Sequence, residues 1–237
     1  MSFVVTESTT ENEKHSVGRQ LSSLCIKHAP IAQGFLYWAE ERGNNSDFPT
    51  SAVYPTLAPG ILSLSRIIAK NHPFSRQDVI RIAFLFLKHS PSSELSHQKV
   101  SALKEQCLRL LLFLSSKGLS IEVFNTLYHR LQKGGSCEID SGLLRYFIAG
   151  ALQIIHPPVS ISFVRALGSV LASKNCCTAL NTNFFETSNR MALSKLIFHF
   201  REVVCDDSKF SKSGSKDRIL VSSLASTYLV STSTINK

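Results

Sequence analysis

Apolar residues return every three or four positions along most of this chain, and proline, glycine or asparagine interrupts each run. The pattern is clearest over residues 140–164, DSGLLRYFIAGALQIIHPPVSISFV. Leu144, Phe147, Ile148, Ala151, Leu152 and Ile155 fall on one helical stripe. Asp140 or Ser141 suits the start of that helix, and Pro157-Pro158 forbids its continuation.

The same reading places further helices on both sides. One begins near Val17 and reaches His28, and Pro30 suits the first turn of the next, with Ile31, Phe35 and Trp38 as its stripe. Gly43-Asn44-Asn45 ends it. Leu57, Ile61, Leu64 and Ile68 mark another helix, stopped at Asn71-His72-Pro73. Ser75 with Asp78 resembles a capping box, and the helix that follows is apolar almost all round, so it should be central. Leu103, Cys107, Leu110, Leu111 and Leu114 define a helix over about 94–117, with Gly118 placed to end it. Ser120 opens a helix through Phe124, Leu127, Tyr128 and Leu131, and Ser160 opens one through Phe163, Leu167 and Leu171. After a polar loop, Leu193, Leu196, Ile197, Phe200 and Val204 form the stripe of a last helix.

Strand signals are scarce, confined to a stray stretch around Ile219–Leu229. The expected fold is therefore all-α without a sheet. Helix starts near residues 75, 120 and 159 give pairs recurring about every 40 residues, which points to a HEAT-like stack of helical pairs, an α-solenoid-like arrangement. The expected organisation is a flexible segment over 1–16, a helical scaffold over 17–205, and a Ser/Thr/Lys-rich tail over 206–237, mostly disordered.

Composition narrows the class. The 237 residues are 43% hydrophobic and 18% charged, enough to bury a sizeable core. No apolar run approaches the roughly 20 residues of a membrane span, and residues 1–15 lack the pattern of a secretory leader, so a soluble intracellular protein is expected. The cysteines Cys25, Cys107, Cys137, Cys176, Cys177 and Cys205 are irregularly spaced without a CxxC pair, which reads as reduced, mostly buried thiols. Cys25 and His28 have ligand-like spacing but no second pair, so no metal site is expected.

No phosphate loop, dinucleotide fingerprint, HExxH or nucleophile elbow occurs, and no catalytic or cofactor-binding residue is assigned. His28, His72, His89 and His156 fall at helix C-termini, where a partial positive charge suits the helix dipole. The net charge of +9 favours acidic partners. Within it, Lys117, Arg130 and Lys133 lie near turns and are the candidate nucleic-acid-binding residues, along one ridge if their segments stack.

Three ordered blocks carry a resemblance. Residues 143–167, LLRYFIAGALQIIHPPVSISFVRAL, are similar to the C-terminal region of the negative elongation factor C/D family, matching at Leu143, Leu144, Arg145, Tyr146, Phe147, Ile155, Pro157, Pro158, Phe163 and Val164. PIAQGFLYWAE at 30–40 looks like that family's segment ending in Trp before an acidic turn. LLLFLSSKGLSIEVF at 110–124 looks like its Leu-rich helix, Ser-basic-Gly turn and following helix. The similarity runs from Leu21 to Val204 and leaves most of the family's N-terminal part without a counterpart. It implies a nuclear, non-enzymatic helical scaffold that pairs with the A-type and B-type subunits. It also implies a role in holding RNA polymerase II in the promoter-proximal paused state, and a basic surface of the pair with the A-type subunit that contacts single-stranded nucleic acid, RNA among the candidates, and includes Lys117.

Overall fold

Proline and glycine punctuate helices whose burial follows from which residues can let two backbones approach. The computed structural model describes residues 11–91, 95–132, 141–156, 159–171, 173, 191–192 and 194–195. Its elements in order are α1 (Glu11–Lys27), α2 (Ala29–Asn44), α3 (Tyr54–Asn71), α4 (Arg76–Lys88), α5 (His97–Leu114), α6 (Ser120–Gln132), α7 (Ser141–Ile154) and α8 (Ile161–Leu171). Short 3-10 turns at Phe48–Thr50 and Pro73–Ser75 and a wide turn at Ser115–Leu119 join some of them. The protein is all-α, and among the described residues there is no strand. The helix expected around Leu193–Val204, the tail and the strand-like stretch near Ile219 lie outside the described residues, apart from short pieces at 191–195.

The chain divides into two compact units, Met1–Cys107 and Leu108–Lys237. In unit 1, α1 packs on α2 and α3, α2 packs on α4, and α3 packs on α4. One helical pair thus lies on the next. Val79, Ile80, Ile82, Ala83, Phe84, Phe86 and Leu87 of α4 are all buried, as the nearly all-round apolar pattern of that helix requires. On α3 the buried set includes Ile61, Leu64 and Ile68 of the expected stripe.

Three readings are corrected by unit 1. α1 starts at Glu11, upstream of Val17. The buried stripe of α2 is Ala32, Leu36, Ala39 and Gly43, one position round from Ile31, Phe35 and Trp38. Small residues win because the helices approach closely: a Cβ at Gly43 would meet Leu85 Cδ2 at 2.6 Å and Phe86 Cε2 at 3.0 Å. Ser75 is buried in helical backbone geometry and makes no side-chain cap, so the capping box does not form, and Asp78 instead accepts from Arg81 at 2.7 Å.

Polar side chains set the register between the pairs. His72 follows α3 and its Nε2–H donates to the Cys25 carbonyl near the end of α1, at 2.6 Å and 47 residues' separation. His89 follows α4 and donates in the same way to the Gly43 carbonyl near the end of α2, at 2.8 Å and a separation of 46. Gln106 of α5 donates to the Pro59 carbonyl of α3 at 3.0 Å, again 47 residues back, and to Ser63 Oγ at 3.0 Å. Each bond ties a helix to the one two places earlier. Cys25 and Gly43 belong to the last four residues of their helices, whose carbonyls lack an intrahelical donor, so the histidines satisfy otherwise orphaned groups. A spacing of 46–47 is the size of a HEAT-type unit, so the repeat is present in hydrogen-bond register although no residue-level repeat is visible.

Unit 2 centres on three phenylalanines. Phe124 of α6 lies 5.5 Å from Phe147 of α7 and 5.5 Å from Phe163 of α8, ring centre to ring centre, the second contact edge-on. All three are buried together with Leu127, Leu144, Ile148, Leu152, Leu167 and Val170. The α7 stripe matches its expectation from Leu144 to Leu152, and Ile155 is half-buried just past the helix end. Ser160 caps α8 by accepting from the Phe163 amide at 3.2 Å. Asp140 and the Pro157-Pro158 stop lie outside the described residues.

Candidate functional site

The basic turn between α5 and α6 is built from the end of one helix and the start of another. Gly118 reverses the chain at φ +91°, a left-handed conformation that an L side chain adopts only with strain. Ser115 Oγ–H donates to the Leu111 carbonyl at 2.9 Å and Ser116 Oγ–H to the Phe113 carbonyl at 2.7 Å, taking up acceptors at the end of α5. Lys117 is exposed at the apex, and its Nζ sits 5.7 Å from the centre of the Phe113 ring. Its charge also lies at the negative end of the α5 dipole.

Arg130, half-buried, occupies the last turn of α6. It is ten residues beyond Ser120, so helix rise alone separates it from the turn by about 15 Å. Lys117 and Arg130 therefore mark the two ends of one helix. A ligand touching both must run along α6. Lys133 lies outside the described residues.

Sequence reading passed over two features of this region. Glu122, in the first turn of α6, holds its Oε2 buried without a hydrogen-bond partner, and its charge stands at the favourable, positive end of that helix. Arg109 Nε–H donates to Tyr146 Oη at 3.1 Å, so Tyr146 of α7 meets α5 while Phe147 beside it is buried in the core. Tyr146 lies off the α7 stripe, so periodicity gave it no partner on α5, although the Arg-Tyr-Phe block itself was legible.

His72, His89, Cys25 and Cys107 have structural roles. The Gly43 carbonyl can only accept, so His89 carries its proton on Nε2, and Nδ1 accepts from Tyr54 O–H at 3.2 Å. Phe48, Tyr54 and Phe86 surround the imidazole at 4.9–6.1 Å between ring centres. Burial pushes the His89 pKa below its ordinary value, with the Lys88 charge adding to the shift and the Gly43 bond opposing it. His89 is thus a neutral donor, and the expectation of a partial positive charge on a helix dipole is corrected for it. The Tyr54 phenol is pushed upward, first by burial and then by Cys107. Cys25 and Cys107 are buried free thiols, Cys107 pushed up to about 12 by desolvation and therefore unreactive. The other cysteines lie outside the described residues. His28 is exposed beside the buried Cys25, which fits the core-and-surface reading of that pair. Among the described residues no group of three His, Cys, Asp or Glu side chains is placed to hold a metal ion, and no helix is long and apolar enough to cross a membrane.

These features define an all-α protein of stacked helical pairs that carries a basic turn on a helical frame. The family model of TH1 protein matches residues 4–192, and the chain belongs to that family. No curated protein matches the chain.

Proposed function

We propose that this chain is a non-enzymatic scaffold component of a negative transcription elongation complex, acting in the nucleus through protein contacts to hold RNA polymerase II near promoters. The observation that carries the reading is the order of three blocks similar to the negative elongation factor C/D family, at 30–40, 110–124 and 143–167. The helical fold is compatible with it. Leu143, Leu144, Phe147, Phe163 and Val164 of the third block are buried, so that part of the likeness lies in the packing of unit 2. The partners under this reading are A-type and B-type subunits of the same complex and the polymerase. Quantitative mass spectrometry of tagged full chain purified from native cells tests it. Enrichment of those subunits is the expected result, and their absence together with that of the polymerase overturns it.

A second reading, a basic module for single-stranded RNA, is favoured by the exposure of Lys117 over a half-buried Phe113. Under it, charge reversal at Lys117, Arg130 and Lys133 weakens RNA binding and flattens its salt dependence. Unchanged affinity sinks it.

A further inference from the structure

The α1–α2 corner and the α3–α4 corner of unit 1 lie side by side, because His72 at the end of α3 donates to the Cys25 carbonyl at the end of α1. Two kinds of side chain reach solvent there. Phe74, in the 3-10 turn between α3 and α4, is 98% exposed, and Ile26 and Ile31 at the other corner are 43% and 39% exposed. Lys27 and Lys70 stand in the last turns of α1 and α3, both exposed, and His28 is exposed between α1 and α2.

No carboxylate occurs in residues 26–31 or 70–77. The next acid along, Asp78, is held by Arg81 at 2.7 Å. Glu40 and Glu41 belong to the far half of α2, roughly 15 Å away by helix rise, and Asp47 lies past the end of that helix. Among the described residues this corner is therefore apolar and of one charge sign. A single exposed apolar side chain is ordinary. Three on adjoining corners that also carry two exposed lysines, one of the three a phenyl ring 98% exposed, form a surface that gains from being covered.

We infer that this corner docks an acidic amphipathic helix of a partner protein. The partner's apolar stripe covers Phe74, Ile26 and Ile31, and its flanking carboxylates face Lys27 and Lys70. The inference rests on the scaffold reading in that it supposes a protein partner. The chemistry favours protein over nucleic acid, because the aliphatic Ile26 and Ile31 offer no face on which a base stacks.

Fluorescence anisotropy of the full chain tests it with a labelled peptide of about 16 residues, long enough to hold a helix. The peptide carries Leu at helical i, i+3, i+4, i+7 spacing and Glu elsewhere. The expected result is binding that weakens as salt rises. Phe74→Ala, and separately the double variant Lys27→Glu with Lys70→Glu, each lose about tenfold or more in affinity. All three residues are exposed, so both variants keep the parent's thermal melt.

Unchanged affinity in either variant overturns the inference, as does equal binding of a peptide with Lys in place of every Glu. Phe74-dependent binding of an oligouridine of about twelve nucleotides, with none of the peptide, also overturns it. Peptide binding through Phe74 supports the docking site even if no elongation-factor component purifies with the chain, a result that would sink only the function proposed above. Conversely, purification of those components by a chain that binds no peptide leaves the function standing and removes the docking site.

Discussion

Unit 1 ties successive helices by side-chain hydrogen bonds to backbone carbonyls, buried at His89 and half-buried at His72 and Gln106, whereas unit 2 gathers its helices on a cluster of rings. In unit 1, His72, His89 and Gln106 each reach back 46–47 residues to a helix carbonyl. In unit 2, Phe124 contacts Phe147 and Phe163, and the aliphatic residues of α6, α7 and α8 close round them. The difference bears on specificity and on failure. Apolar packing is non-directional and tolerates small shifts, but a side chain donating to one carbonyl fixes one register. A polar latch also fails abruptly, since an orphaned buried carbonyl has no apolar substitute.

The strongest way to break the comparison is to remove its apolar half. Phe147→Ala empties a fully buried ring site and should cost unit 2 about 3–5 kcal/mol. Denaturant titration monitored by circular dichroism checks this, and a loss below about 1 kcal/mol would mean the cluster does not hold the unit.

His89→Ala tests the polar half, with an expected cost of about 2–4 kcal/mol, because it leaves both the Gly43 carbonyl and the Tyr54 hydroxyl unpartnered. The latch should also respond to pH. Its folded pKa lies below the ordinary 6.5, so as pH falls the unfolded chain takes up the proton first. The contribution is complete above about pH 6.5 and is lost as pH falls from there through the depressed folded value. His89→Gln keeps an N–H donor that does not titrate. The stability gap between parent and His89→Gln should therefore shrink between about pH 7.5 and pH 5.5. A gap that stays constant would place the proton elsewhere.

Smaller effects sharpen the boundary. Gly118→Ala forces a left-handed conformation on an L residue and should cost about 1–2 kcal/mol, read from the thermal midpoint. Arg81→Ala removes an exposed pair with Glu40 at 3.2 Å and Asp78 at 2.7 Å, and should cost no more than about 1 kcal/mol. A larger loss at Arg81 would show that unit 1 depends on surface ion pairs as well as buried latches.

The described helices α6, α7 and α8 of unit 2 were legible in the sequence because their stripes are made mostly of large apolar residues. Leu144, Phe147, Ile148, Ala151 and Leu152 are buried in the order their spacing requires. The stripe of α2 was misread because hydropathy ranks Trp38 and Phe35 above Ala32, Ala39 and Gly43, whereas close helix approach selects the smaller residues. Phe35 and Trp38 pack 5.7 Å apart at the half-buried margin, and Tyr37 between them in sequence is 73% exposed. The histidine latches were invisible for another reason. Their placement after α3 and α4 could be read, but their acceptors lie 46–47 residues away and are backbone carbonyls, which leave no mark on composition. For the candidate basic site, the exposed apex at Lys117 was readable from its Ser-Lys-Gly turn. The separation of Arg130 from it follows from the length of α6, a distance that only a folded helix makes plain.

Imidazole nitrogen-15 spectroscopy of His89 over a pH series tests the latch most directly, since it reports tautomer and protonation at one residue. The structure predicts a ring that in its neutral form is protonated on Nε2 and whose titration midpoint lies below 6.5, the ordinary value for a histidine. A neutral ring protonated on Nδ1 instead, or a titration midpoint at or above 6.5, would contradict it.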